Sequence, residues 1–204
     1  MNFLAHIYLS GNNESIQIGN FIADAVKGRK YEAYPQEIKT GILLHRQIDW
    51  FTDNNDIVKK SKRRLGNKYG HYKGVIIDIF YDHFLAKNWN NYSDTPINEF
   101  SHEFYIVLQH NLDILPNRIQ KLSPYLIKGD WLTNYATLEG IERVLIGMNK
   151  RTHEISQMHL AIHDLKANYA DFEHDFTTFF VILSSFTSSK LIEIKNNLNK
   201  QKTK

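Results

Sequence analysis

The sequence predicts an all-α protein, a single-domain multi-helix bundle, on three observations. Apolar residues recur at helical spacing along most of the chain. Turn formers are scarce, with four prolines and ten glycines in 204 residues, where a β-rich chain needs them every 8–12 positions. Pro35, Pro96 and Pro116 each stand where an apolar periodic segment begins, the position at which proline fits a helix.

The elements follow in order. Residues 3–9 form a short apolar stretch, and residues 14–26 read as a helix carrying Ile16, Ile18, Phe21, Ile22 and Ala25. From Pro35 to about Thr52, the residues Ile38, Ile42, Leu44, Ile48 and Phe51 make an apolar face. Residues 56–65 are a basic helix, closed by Gly66-Asn67 or by Gly70. Residues 73–89 are strongly apolar but interrupted by acids. Helices are expected at 96–110, at 116–126 and at 137–151, and a last one from about residue 154 into the 190s, with a candidate break at Ser184–Ser189. No repeat or linker divides the chain, so residues 1–194 are expected to be one helical domain and the lysine-rich residues 195–204 a frayed tail.

Composition narrows the class. With 42% hydrophobic and 13% aromatic residues, the chain can bury a sizeable core. The absence of cysteine rules out disulfides, thiolate metal sites and thiol nucleophiles. No uncharged apolar run of about 18 residues is present, and the first residues lack the pattern of a secretory signal, so the expectation is a cytoplasmic protein without a membrane partner. The net charge of +3 is unevenly spread. Residues 55–73 hold seven cations against Asp56 alone, a local +6, and the last ten residues hold four lysines, so the remaining body is acidic at −7. A basic patch on an acidic body suggests an anionic partner. Nucleic acid is a poor fit, because no aromatic residues interleave the run Lys59, Lys60, Lys62, Arg63, Arg64.

The chemistry lies in acids and histidines set into apolar helices. His45, Asp49 and Asp53 recur every four residues, which stacks them along one side of a helix about 5–6 Å apart at Cβ. Asp78 and Asp82 repeat that spacing, followed at once by His83, while Asp24 and His6 lie in other apolar runs. Each residue alone has an ordinary reading: Asp49 pairing with Arg46, Asp53 ending its helix, Asp56 capping the next. His102, His110, His153, His159, His163 and His174 show no convincing partner spacing and read as structural or surface groups. Jointly, several buried carboxylates call for a shared cation, since burying a lone carboxylate costs several kcal/mol. Imidazole with carboxylate and no thiolate suits Mn²⁺, Fe²⁺ or Zn²⁺, and admits Mg²⁺.

These residues also carry a family resemblance. Asn2-Phe3-Leu4-Ala5-His6, Gly19-Asn20 with Asp24, Gly41 through His45-Arg46 and Ile48-Asp49 to Thr52-Asp53, and Asp78 with Tyr81-Asp82-His83-Phe84-Leu85 and Trp89 resemble the acyl carrier protein phosphodiesterases. Trp131-Leu132, Tyr135 and Gly140-Ile141 resemble that family's C-terminal half. The resemblance implies removal of the 4′-phosphopantetheine arm from holo acyl carrier protein, giving the apo form. It also implies a distant relation to the HD phosphohydrolases, helical enzymes with His and Asp ligands and Mn²⁺ as usual activator, although Asp82-His83 reverses the HD order.

On that basis, the expected metal shell is Asp24, His45, Asp78, Asp82 and His83, an HD-like site between helices, holding Mn²⁺ with Mg²⁺ or Fe²⁺ as substitutes. Arg46 is expected to bind phosphate oxygens, His6 to act as an acid for the leaving oxygen, and Asp49 or Asp53 to orient a ligand or a water. Lys59, Lys60, Lys62, Arg63 and Arg64 are expected to dock the carrier, because carriers of this kind are small and strongly acidic. A monomer is the default. The competing readings are a phosphohydrolase for a small nucleotide or alarmone and, from another class, a helical scaffold whose acids are merely paired.

Overall fold

The computed structural model describes residues 1–202, and among them every regular element is helical, as the periodicity predicts. The helices are α1 (Phe3–Tyr8), α2 (Glu14–Ile22), α3 (Gln36–Asn54), α4 (Asp56–Arg64), α5 (Lys73–Lys87), α6 (Ile97–His110), α7 (Asn117–Lys128), α8 (Trp131–Asn134), α9 (Leu138–Arg151), α10 (Ala161–Ala167) and α11 (Tyr169–Lys202). Pro35, Pro96 and Pro116 stand immediately before α3, α6 and α7. Side chains cap other starts: Asn13 Oδ1 accepts from the Ile16 amide (3.0 Å), Asn55 Oδ1 from Ile57 (2.9 Å) and Thr137 Oγ1 from Gly140 (3.0 Å). None of the described helices is long and apolar enough to cross a membrane.

Helix α5 runs through the centre, buried nearly all round by Ile76, Ile77, Ile79, Phe80, Tyr81, Phe84 and Leu85. Helix α11 packs on it with an aromatic face at helical spacing. Phe172 meets Phe80 edge-on at 5.2 Å between ring centroids, and Phe176 meets Tyr81 in the same way at 5.6 Å. On the other side α2 and α3 cross with their backbones in contact. A Cβ on Gly19 would lie 2.1 Å from the Ile38 carbonyl oxygen, and one on Gly41 would lie 2.1 Å from that of Ile16. Only glycine at both positions permits this approach.

Three expectations change. The helix expected over 14–26 stops at Ile22 and tightens into a 3₁₀ turn, Ala23–Ala25, which carries Asp24. The last helix does not start near residue 154. His153, Glu154 and Gln157 have φ between 52° and 66°, a left-handed backbone that no right-handed helix continues, and Ser156 Oγ ties that turn to Asn149 Oδ1 at 3.1 Å. The candidate break at Ser184–Ser189 is absent. Ser184, Ser188 and Ser189 each donate to the carbonyl four residues earlier (2.8, 3.0 and 3.2 Å), so their hydroxyls are satisfied inside the helix. Residues 195–202 of the lysine-rich stretch continue α11; residues 203–204 lie outside the described part.

Asp175, on α11, joins α4 to the core. Its buried carboxylate meets Arg64, Lys60 (3.1 Å) and Ser61 (2.9 Å). Burial alone would raise its pKa, but Arg64, Lys60 and Ser61 hold it below the usual carboxylate range. Asp175→Asn should therefore cost about 3 kcal/mol near neutral pH, the scale for breaking a buried pair by removing one partner. A depressed native pKa gives stability that is present above the unfolded value and lost as pH falls. The gap between variant and native chain in urea unfolding should accordingly close below about pH 4. An equal gap at both pH values would contradict this.

Candidate metal centre

Helix α1 has only six residues, too few to hold itself in water, and α5 fixes it in place. Asp82, fully buried, accepts from the amides of Leu4 (2.8 Å) and Ala5 (3.3 Å), serving as the N-terminal cap that Asn2 does not supply. Burial raises the Asp82 carboxyl to about pKa 7. One turn earlier, Asp78 Oδ1 accepts from the Met1 amino group at 2.9 Å. The two acids of α5 thus grip the first residues of the chain and set His6 in the interior.

There His6 stacks on His45 of α3, with ring centroids 4.0 Å apart and planes 20° from parallel. Asn20, fully buried on α2, holds both rings. Its Oδ1 lies 2.8 Å from His6 Nδ1 and 3.2 Å from His45 Nδ1. Ser10 settles the orientation of that amide: its hydroxyl donates to the His6 carbonyl (2.8 Å), so it accepts from Asn20 Nδ2 (2.9 Å), leaving the amide oxygen toward the rings. Both Nδ1 atoms are then donors.

The two Nε2 atoms point to carboxylates. His6 Nε2 is 3.2 Å from Asp49 Oδ1 and 3.1 Å from the Met1 carbonyl oxygen. His45 Nε2 is 3.0 Å from Asp49 Oδ2 and 3.4 Å from Asp24 Oδ1, yet neither oxygen meets hydrogen-bond geometry, and this buried nitrogen has no aligned partner. All four ring nitrogens therefore face oxygen, while two neutral imidazoles carry only two protons between them. The cluster is short of positive charge. A proton on His45 supplies it in part: burial pushes that pKa down, but contacts with Asp24 and Asp49 raise it to about 9. Burial, with the His45 charge alongside, lowers His6 to about 4. Burial would raise Asp49, but both histidines hold it well below the usual range, and the contact with His45 lowers Asp24.

A metal ion would supply the same charge. His6, His45 and Asp49 each offer a ligand atom, all within 4.8 Å of one another, near the roughly 3.3–4.3 Å that separates ligands around one first-row ion. The donor set and the unpartnered His45 Nε2 fit such an ion, and the Asn20 amide acts as the outer partner that sets both ring tautomers.

The other candidates lie around this cluster or away from it. Asp24 joins it from the 3₁₀ turn, with most of its side chain exposed. Asp78 and Asp82 are occupied at the start of α1. His83 follows Asp82 by about 100° of helical rotation and faces elsewhere, with Nδ1 against the Tyr135 carbonyl and Nε2 against the Tyr169 hydroxyl, both 2.7 Å. Arg46 donates to the carbonyls of Val26 (3.1 Å) and Gly28 (2.7 Å) and covers the Tyr31 ring, so it ties down the loop after α2. Asp53 pairs with Lys62 at the surface. On α4, Lys59 pairs with Asp56, Lys60 with Asp175, and Arg64 with Asp171 and Asp175. Four of the five cations thus meet a carboxylate, and Asp53, Asp171 and Asp175, which lie outside residues 55–73, offset half of the +6 read from the sequence.

Sequence reasoning gave no role to Asn20, although Gly19-Asn20 stood among the residues of the family resemblance and its amide lies inside the apolar run 16–22. It also passed over the cleft that opens beside the cluster. This cleft, about 910 Å³, is lined by Met1, Asp24 and Asp78 and by the apolar side chains of Trp131, Val144 and Met148. Arg118, Arg143 and Arg151 line it as well.

A helical bundle with a histidine–carboxylate centre at one end of a cleft is an architecture that binds ions and small reacting groups between helices. The family model described as acyl carrier protein phosphodiesterase matches residues 1–183. An acyl carrier protein phosphodiesterase of Yersinia enterocolitica is 33% identical over 193 residues, covering 94% of this chain and all of the relative. Proteins of that name from Photorhabdus laumondii (32%, covering 93% of this chain and 96% of the relative) and Escherichia coli (33%, covering 94% and 100%) are similar to the same degree. No solved structure matches the chain. The chain belongs to the acyl carrier protein phosphodiesterase family and is an enzyme of the hydrolase class.

Proposed function

We propose that this protein is a metal-dependent phosphodiesterase that removes 4′-phosphopantetheine from holo acyl carrier protein, leaving the apo carrier. The observation that carries the metal dependence is the stacked pair His6 and His45, locked by one amide and turned toward Asp49, beside an open cleft. His6, His45 and Asp49 are the ligands, with Asp24 at the boundary between cluster and cleft. Mn²⁺ is the ion that heads the proposal, and Mg²⁺ and Fe²⁺ also suit imidazole with carboxylate. When bound, such an ion supplies positive charge to phosphoryl oxygens and makes water a usable nucleophile near neutral pH.

The chain's own groups do the rest. Asn20 holds the hydrogens of both rings on Nδ1, so only the proton that His45 carries on Nε2 has to leave before an ion binds. Asp24, ionised and exposed toward the cleft, orients the attacking water in line with the phosphorus and the departing serine oxygen. The apolar wall of Trp131, Val144 and Met148 accommodates the neutral arm and excludes water from it.

Mass spectrometry of purified holo carrier tests the reading directly. Incubation with this protein and Mn²⁺ should remove one phosphopantetheine mass, and chelator should stop the loss. A carrier left intact with every divalent ion tried would sink the proposed reaction, and turnover that persists in chelator would sink the metal.

A further inference from the structure

An arm attached to a protein enters a cleft only if its bearer comes to rest against the rim. The exposed residues of this rim include Arg118 on α7 and Arg143 and Arg151 on α9. None of the three has a carboxylate within ion-pair distance among the described residues. Arg143 donates to the Asn134 amide oxygen (3.1 Å) and Arg151 to the Met148 sulfur (3.6 Å). Lys59, Lys60, Lys62 and Arg64 on α4 are the opposite case, as carboxylates already answer them. Positive charge without a carboxylate partner thus lines the cleft beside the candidate centre, where three guanidiniums remain available for an anionic partner.

The spread of these arginines decides what kind of anion they suit. Arg143 and Arg151 are eight residues apart on one helix, about 12 Å along its axis, and Arg118 comes from another element. A single phosphate offers oxygens within a few ångströms, a smaller target than these cations span along the helix. A protein face with several carboxylates matches that span. Resting on the phosphodiesterase reading, we infer that Arg118, Arg143 and Arg151 form the docking surface for the body of the acidic carrier. The arm passes between them toward His6 and His45. The basic face of α4 is left as an internally paired strut.

The apo carrier, which has no arm and cannot turn over, separates docking from chemistry. Calorimetric titration of the full-length enzyme with apo carrier gives Kd, and steady-state assays with holo carrier give KM and kcat. Joint reversal of Arg118, Arg143 and Arg151 to Glu should raise both Kd and KM by about tenfold or more at low salt, flatten their salt dependence and leave kcat within about twofold. The milder triple change to Ala should shift the same quantities less, which guards against a misfolded variant. Reversal of Lys59 and Arg63 on α4 should leave Kd nearly unchanged.

Three results would overturn the inference: apo carrier failing to bind the wild-type protein, a rise in KM with no rise in the Kd of apo carrier, or a larger effect from α4 than from the rim. The second would assign the arginines to the phosphate of the arm. Rim-dependent binding of apo carrier without any release of the arm from holo carrier would leave the docking surface standing and remove only the proposed reaction.

Discussion

His45→Ala is expected to abolish tight divalent-ion binding and to lower turnover of holo carrier by a factor of about 10³. The expectation rests on the position of His45 Nε2 between Asp49 and Asp24, with no aligned hydrogen-bond partner of its own. Loss of an outer-shell partner of a metal ligand commonly costs 10–100-fold in affinity or activity, and loss of a ligand costs more. Asn20→Ala supplies the graded comparison. It removes only the oxygen that fixes both rings, so a loss of about 10–100-fold in ion affinity is expected, without abolition. His83→Ala should leave ion affinity unchanged, because both its ring nitrogens are engaged by Tyr135 and Tyr169 away from the cluster. Ion binding by calorimetry alongside turnover reads all three. If His83→Ala lost the ion and His45→Ala kept it, the centre would lie elsewhere.

Gly41→Ala should have the next largest effect, and it acts through the backbone. On an exposed helix this change stabilises by about 1 kcal/mol, because alanine has the higher helix propensity. Here the added methyl would lie 2.1 Å from the Ile16 carbonyl oxygen and 2.6 Å from the Asn20 amide nitrogen, backbone atoms that cannot swing away. Overpacking of that kind costs about 3 kcal/mol, outweighs the propensity gain and forces α2 from α3. For a chain of this size the melting temperature should drop by roughly 6–12 °C. Because Asn20 is on α2 and His45 is on α3, ion affinity should fall with stability. Gly147, where a Cβ would meet nothing within 4 Å, is the control, and Gly147→Ala should raise stability by about 0.5–1 kcal/mol. Thermal and urea unfolding of the two variants should move in opposite directions. A neutral Gly41→Ala would mean the crossing is looser than the backbone distances indicate.

The legible part of the site was what repeats along a single helix. His45 and Asp49 share a face because four residues make about one turn, and the structure brings them within 3.0 Å. Asp78 and Asp82 were legible by the same rule as a pair facing one way, but their spacing does not say what they face. The groups they meet, the Met1 amino group and the Leu4 amide, lie 77 and 78 positions away. The basic run on α4 read as free charge because its partners Asp171 and Asp175 are more than a hundred residues distant. Arg143 and Arg151 drew no role from the sequence, since the cleft they line exists only once α1, α5, α7 and α9 have assembled around it.

Local chemistry was enough for the all-α class, for the helix starts after proline, and for the stacking of acids and imidazoles on α3 and α5; the cap of α4 is Asn55 and not the expected Asp56. Helical periodicity and capping act over three or four residues and are visible in any window of that length. The convergence of His6, Asn20 and His45 was decided by packing. It requires a six-residue helix held by acids from α5 and two glycines that let α2 and α3 touch. Each of those contacts closes a long loop of chain, and its energy comes from burial and from hydrogen bonds between residues distant in sequence. No local pattern encodes which of several equally spaced acids will meet the histidines and which will hold the helix that carries one of them.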